Sequence, residues 1–258
     1  MALRITLLGT GTSHGVPMIG CDCDTCRSTD PRDRRSRPSI LIQHLGAEGT
    51  AFQRETTDVL VDTSTDLRQQ ALTHNLRRVD AILFTHSHAD HILGLDEVRR
   101  FNVIQKSAIP AYGDARTVRD LKQTFSYIFT PPDQKGGGIP KVALSTIAGP
   151  FSLGGLPIVP VPVMHGQRPI LGYRIGAFAY LTDCNSIPDS SWPLLEGVKV
   201  LVLDALREKL HPTHFNVAQA VEAAQRINAD RTYFTHVCHD LGYVDTCARL
   251  PRGIELAY

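Results

Sequence analysis

The sequence predicts an α/β protein folded as a four-layer α/β/β/α sandwich. Three features of its 258 residues point there. Strand-like and helix-like stretches alternate through the first half. The same order returns in the second, so two strand-rich halves each have helices to cover an apolar face. The third feature is chemical: histidines and aspartates recur where apolar runs stop, as they do when strand ends share one edge of a sheet.

In chain order, strands are expected at Arg4–Leu8, Ser39–Gln43, Asp58–Asp62 and Asp80–Thr85. These short runs are rich in Val, Ile and Leu, which suit buried strands. Helices are expected at Thr65–Asn75, Ile92–Arg100 and Asp114–Tyr127. Thr130–Pro140 contains Pro131-Pro132 and Gly136-Gly137-Gly138 and reads as a breaker-rich loop. Further strands are expected at Leu156–Met164, Leu171–Ile175, Phe178–Thr182 and Val198–Leu203. Asn216 is placed to cap a helix at Val217–Ile227, and a last strand, Arg231–Thr235, ends at His236. No repeat of fixed short period is visible. Residues 1–258 are read as one domain carrying a cysteine loop at 20–27.

Apolar residues make up 42% and charged residues 21%, the balance of a soluble globular chain. A formal net charge of +1 gives no bulk attraction to nucleic acid or to a membrane surface. No apolar run reaches the roughly 18 residues of a membrane-spanning helix. Met1-Ala2-Leu3-Arg4-Ile5 runs into a strand pattern without a signal-peptide layout, so a cytoplasmic location is expected.

The densest chemistry is His86-Ser87-His88-Ala89-Asp90-His91, an H-x-H-x-D-H run directly after Ala81-Ile82-Leu83-Phe84-Thr85. Imidazole and carboxylate together suit zinc, manganese or iron. His86 and His88 alternate along an extended segment and share one side. Asp90 and His91 then turn away, towards a second metal. The run therefore reads as half of a two-metal hydrolytic site. Three further candidates each end an expected strand: His165 after Val161–Met164, Asp183 after Phe178–Thr182, and His236 after Arg231–Thr235.

Six cysteines are present, at 21, 23, 26, 184, 238 and 247. Cys21, Cys23 and Cys26 form a C-x-C-x-x-C cluster, too tight for a spread disulfide framework and better suited to metal. A structural zinc site needs a fourth ligand. His239 and Cys238 are the candidates. The preceding Gly9–Gly15 turn lacks the Gly-Lys-Ser/Thr of a phosphate-binding loop and reads as a tight strand exit.

With these residues in hand, the chain resembles the metallo-β-lactamase-fold hydrolases over nearly its whole length. The resemblance implies His86, His88 and His165 on one metal, Asp90, His91 and His236 on the other, and Asp183 bridging them. An aspartate at the bridging position fits the phosphodiesterase-type branches. The motif is specific for the fold and much less so for the substrate.

A narrower resemblance is to the phosphoribosyl cyclic phosphodiesterase group of the bacterial carbon–phosphorus lyase pathway. It rests on Gly9–Gly15, Gly20–Cys26, Arg34–Pro38, His86–His91, Gly172-Tyr173 and Thr235–His239. It implies that Cys21, Cys23, Cys26 and His239 hold a structural zinc, with Cys238 incidental. The pyrroloquinoline quinone biosynthesis protein B group shares a cysteine cluster but commonly departs from the full H-x-H-x-D-H. The tRNA 3′-end-processing endonucleases share the active-site set but carry an extended arm, for which Thr130–Pro140 is too short.

Other residues were weighed. Arg27, Arg32, Arg34, Arg35 and Arg37 read as a solvated loop, with an anion-attracting rim as the alternative. His44 and His74 read as structural, and Cys184 and Cys247 have no evident role. Asp62 ends a strand and is placed to support a ligand. His214 lies between the Val198–Leu203 strand and the next helix, on the same rim as the ligands, where it can protonate a leaving oxygen. His14 is the alternative donor.

The expected protein is thus a metal-dependent phosphoric diester hydrolase with two catalytic divalent metals (zinc, manganese or iron) and one structural zinc. Its expected substrate is a small anionic phosphodiester, perhaps cyclic. His214 and Asp90 are the expected catalytic residues, Asp90 also serving as a ligand. Nucleic acid and membrane are not expected partners, and a homodimer is compatible with the sequence. The rival readings are a hydrolase of the same fold acting on another ester, a thioester or nucleic acid, and a non-hydrolytic biosynthetic accessory protein.

Overall fold

Short, largely apolar runs set the strands of both halves of the chain. The computed structural model describes residues 2–45, 56–130 and 138–258, so most of the Thr130–Pro140 loop lies outside the described residues. The chain divides into two compact units, Met1–Leu8 with Ser39–Leu156, and Gly9–Pro38 with Pro157–Tyr258.

In the first unit, six strands follow one another across a sheet in chain order: β1 (Ala2–Gly9), β2 (Ser39–Leu45), β3 (Thr57–Val61), β4 (Ala81–Leu83), β5 (Ile109–Gly113) and β6 (Val142–Thr146). β2 and β3 are antiparallel, with Ile40 opposite Val61. From β3 to β6 the pairs are parallel. Parallel strands bring their carboxyl ends to one edge, where α/β sheets place their ligands. Asp62 and the segment after Leu83 both start at that edge. Leu60, Ile82, Phe84, Leu95 and Leu121 are fully buried and anchor this unit's core. A short strand, β7 (Phe151–Leu153), comes near the end of its range.

The second unit contains β8 (Leu156–His165), β9 (Arg168–Ile175), β10 (Phe178–Leu181), β11 (Val200–Asp204), β12 (Arg231–Thr235) and β13 (Ile254–Leu256). Their sheet order is β13-β12-β11-β10-β9-β8. β8, β9 and β10 are antiparallel neighbours, whereas β10 through β13 are parallel. The carboxyl ends of β10, β11 and β12 therefore share an edge, and the next residues are Thr182-Asp183, Ala205 and His236. Asn216 caps the Val217–Ile227 helix as expected. Its Oδ1 accepts from Gln219 N at 2.9 Å, and Gln219 Oε1 accepts from Asn216 N at 3.1 Å, a reciprocal capping box. The helix buries Val217, Ala220, Ala223 and Ala224 in this unit's core.

The sequence reading missed β5, β6, β7 and β13. Ile109-Pro110-Ala111-Tyr112-Gly113 contains two breakers, and β7 and β13 span three residues each, too short for a periodic signal. The Ile92–Arg100 helix is not continuous. A helical turn at Ala89–Ile92 leads into a 3₁₀ stretch at Leu93–Glu97 and then a helix at Val98–Gln105. Gly94 lies in that 3₁₀ stretch because the chain crosses tightly there: a Cβ on it would lie 2.0 Å from Ser64 O and 2.8 Å from Leu67 Cβ. The other two helices are trimmed to Leu67–Thr73 and Ala115–Thr124, the second capped by Asp114 and followed by a turn at Ser126–Phe129. Among the described residues no helix is long and apolar enough to cross a membrane.

Candidate metal centre

In the first unit, β4 stops at Leu83, the chain bends at Thr85, and it is extended again at His88, whose φ and ψ are −69° and 154°. The Ala89–Ile92 turn then swings Asp90 and His91 out of line. The His86 ring centroid lies 4.5 Å from that of His88 and 4.2 Å from that of His91, so three imidazoles are gathered. His91 Nε2 and Asp90 Oδ2 are 3.5 Å apart, which brings two donor atoms to one spot.

Asp62 holds this array in place. Its Oδ2 lies 2.7 Å from His91 Nδ1 and 2.8 Å from the Thr85 hydroxyl, and its Oδ1 accepts from Thr85 N at 2.8 Å. Thr85 Oγ1 is also 3.0 Å from His86 Nδ1. A carboxylate on Nδ1 fixes the imidazole tautomer and turns Nε2 outward, the usual support for a metal-binding histidine. Burial pushes the Asp62 carboxyl pKa up, and the His91 and Thr85 contacts oppose that rise.

In the second unit, His165 is the last residue of β8, and its Nδ1 lies 3.0 Å from the Thr213 carbonyl oxygen. Asp183 and His236 follow β10 and β12. His236 Nε2 is 3.0 Å from Asp183 Oδ1. Burial pulls the His165 pKa below its ordinary value, favouring the neutral ring that can ligate. Asp62, Asp183 and His236 all have left-handed backbones, with φ of 61°, 55° and 59°. Each turn out of a strand thus ends on a candidate site residue rather than on glycine.

Asp204, at the end of β11, is a residue the sequence reading missed. It is fully buried. Its Oδ1 accepts from Asp183 N at 3.1 Å and lies 3.2 Å from His214 Nδ1, while its Oδ2 accepts from Phe215 N at 3.0 Å. Burial pushes its pKa well up, with His236 opposing. The strand-end pattern that singled out His165, Asp183 and His236 applies equally to the residue after Leu203. His214 itself is buried, and its ring stacks on His236 at 4.7 Å and 11°. A cavity of about 340 Å³ opens beside it, lined among others by His14, Arg207, His211 and His239. His14 thus shares a cavity wall with His214.

The cysteine cluster also lies in the second unit. Donor atoms of Cys21, Cys23, Cys26 and His239 all fall within 4.8 Å of one another. His239 Nδ1 is 3.1 Å from Cys21 Sγ and 3.4 Å from Cys23 Sγ. A tetrahedral zinc with bonds of about 2.3 Å to sulfur needs edges of about 3.8 Å, so the donor set fits. Burial raises the Cys23 pKa, but hydrogen bonds from Cys26 N, His239 and Cys21 outweigh it and bring the thiol down to about 7. Burial instead pushes Cys26 up to about 11. Cys238 stays outside this group and accepts from Asp240 N at 3.4 Å.

The remaining candidates divide. Arg35 is buried, not solvated, because it is paired with Asp33 at 2.9 Å. Arg27 and Asp22 form an exposed pair. His44 lies in β2, and His74 terminates the Leu67–Thr73 helix. Cys184 is packed in the core, and Cys247 Sγ accepts from Leu256 N at 3.3 Å.

Comparison with known proteins matches one family model and finds several relatives. The beta-lactamase superfamily domain matches residues 57–237. A crystal structure described as a new diphosphatase from the PhnP family is 45% identical, with a TM-score of 0.89, covering 100% of this chain and 95% of that one. Zinc-bound PqqB from Methylobacterium extorquens is 18% identical with a TM-score of 0.75, covering 100% of this chain and 98% of that one, a likeness of fold alone. A Porphyromonas gingivalis protein named octanoyltransferase is 35% identical over 238 residues, covering 92% of this chain. The chain spans only 46% of that protein, so the name describes something about twice as long.

Proposed function

The chain belongs to the beta-lactamase superfamily domain family, as a hydrolase of the metallo-β-lactamase fold, and we propose that it hydrolyses a small phosphodiester, a cyclic one above all. The observation that carries the reading is the Asp204–His214 pair stacked on His236. A proton donor held beside ligand-type side chains is what an alkoxide leaving group requires. The 45% identical PhnP-family diphosphatase supports phosphorus, rather than a carboxyl carbon, as the centre attacked.

In this reading, His86, His88 and His165 would hold one divalent metal, Asp90, His91 and His236 a second, and Asp183 would bridge them. Their imidazole and carboxylate donors fit zinc, manganese or iron. Such metals, when bound, polarise a phosphoryl oxygen and lower the pKa of water to about 7. The chain's own contribution is orientation and proton transfer. Asp62 and Thr85 fix the His91 and His86 rings. Asp204 keeps the His214 proton on Nδ1, so that Nε2 can hold and deliver the proton the leaving oxygen takes. The cavity beside His214 accommodates a small substrate. Cys21, Cys23, Cys26 and His239 would hold a structural zinc that supports the loop rather than the chemistry.

The test is a substrate panel on metal-loaded protein: a ribose cyclic phosphate, an aryl diester, a phosphoanhydride, a thioester and a lactone. The diesters should turn over, and Asp183→Asn should lose metal and activity together. Turnover confined to the thioester or lactone would overturn the phosphodiester reading. Full metal content and activity in Asp183→Asn would overturn the bridging role.

A further inference from the structure

Arg35 is the largest fully buried side chain among the described residues, 1% exposed. A guanidinium out of water is tolerated only when paired and hydrogen-bonded. Arg35 meets that condition with two neighbours in sequence, Asp33 and Arg32, and one distant partner, Cys238. Its Nη2 lies 2.9 Å from Asp33 Oδ1, its Nη1 donates to the Cys238 carbonyl at 3.2 Å, and its Nε donates to the Arg32 carbonyl at 3.3 Å. The same Asp33 Oδ1 accepts from Tyr243 N at 2.8 Å. Both members of the ion pair therefore grip the 238–243 limb. That limb carries His239, and His236 lies two residues before Cys238.

The Arg35 main chain grips the other limb. Its N donates to Val16 O and its O accepts from Val16 N, each at 2.8 Å. Two residues beyond Val16, Met18 N donates to Cys26 Sγ at 3.3 Å. Gly11 leaves room for this crossing, since a Cβ there would lie 2.5 Å from Arg35 O. One residue thus ties the segment leading into the cysteine loop to the limb bearing the histidine.

We infer that Arg35, through Asp33 and the Cys238 carbonyl, is a positioning residue that presets the gap between the three thiols and His239. The four donors are then assembled before any metal arrives. A ligand set held in advance binds more tightly, and loss of such an outer contact weakens metal affinity by about 10–100-fold. Lysine at this position keeps the charge and reaches Asp33, but a single ammonium cannot also serve the carbonyls of Cys238 and Arg32.

The inference rests on the metal reading of the cysteine cluster, and cobalt(II) separates the two. The parent should show thiolate-to-cobalt charge-transfer bands; their absence would remove the metal reading itself. Arg35→Lys, verified as folded by circular dichroism, should bind cobalt and zinc about 10–100-fold more weakly in competition with a chromophoric chelator. A core variant of matched melting temperature, Leu203→Ala, should keep the parent affinity. Equal affinity in parent and Arg35→Lys, or equal weakening in Leu203→Ala, would overturn the positioning role. A second measurement needs no variant. In metal-free parent the amide of Tyr243 should stay protected from hydrogen exchange, because Asp33 and Arg35 hold that limb unaided. Rapid exchange there after chelation would overturn the inference.

Discussion

Asp204 and His214 are joined by a 3.2 Å contact between Oδ1 and Nδ1, and the same oxygen receives the backbone N–H of Asp183. One buried carboxylate thus sets the orientation of the proposed proton donor and of the proposed bridging ligand.

His214→Ala should lower turnover of an alkyl diester by about 10²–10⁴-fold. An aryl diester, whose leaving group needs little protonation, should suffer far less. Asp204→Asn should act in the same direction, and the double variant should be no worse than the more damaging single one, because the two side chains act as a unit. Steady-state rates on both substrates check this. Equal losses on alkyl and aryl diesters would assign His214 to binding or folding, and no loss on either would leave His14 as the donor.

The cysteine cluster should behave differently. Cys23→Ser and His239→Ala should each lose one tightly held zinc and melt at a lower temperature, since metal bound only by the folded form stabilises it. Elemental analysis with thermal melts decides the matter. Zinc content equal to the parent in both variants would exclude the site, and loss confined to Cys238→Ser would reassign the fourth ligand.

Gly94→Ala should destabilise the first unit by about 1–3 kcal/mol, the usual cost of forcing atoms into a filled space. Its Cβ has nowhere to go, with Ser64 O at 2.0 Å. A denaturant midpoint unchanged from the parent would contradict the close crossing.

Asp30 supplies a test in acid. Hydrogen bonds from the Arg32 side chain and then its backbone N–H hold this carboxyl down at about 2. The folded value lies below the unfolded one of about 3.9. Its contribution is therefore complete above pH ~4 and is lost as pH falls through about 2. A carboxyl carbon-13 titration should place the midpoint near 2, and a midpoint at the ordinary value would show the Arg32 contact to be absent in solution.

Much of this was legible in the residues. The Val217–Ile227 helix and its Asn216 cap could be read directly, because apolar spacing and cap chemistry agree there. So could the strand ends at His165, Asp183 and His236. Asp204 was passed over although it too ends an apolar run, Val-Leu-Val-Leu; its partners, from Asp183 to His236, come together only in the fold. Arg35 escaped for a different reason. Five arginines close together look solvated, and the burial of this one goes with its Asp33 pair and a hydrogen bond to the Cys238 carbonyl, 203 residues away. β5 was hidden by its own Pro110 and Gly113.

The left-handed backbones at Asp62, Asp183 and His236 have a practical consequence for anyone engineering this protein. Glycine would relax each of them, recovering part of about 1–3 kcal/mol per position. A library sorted for heat resistance alone would therefore have no reason to keep the side chains at three residues of the proposed site. It would enrich sturdy chains with no catalyst, unless metal retention is selected alongside survival.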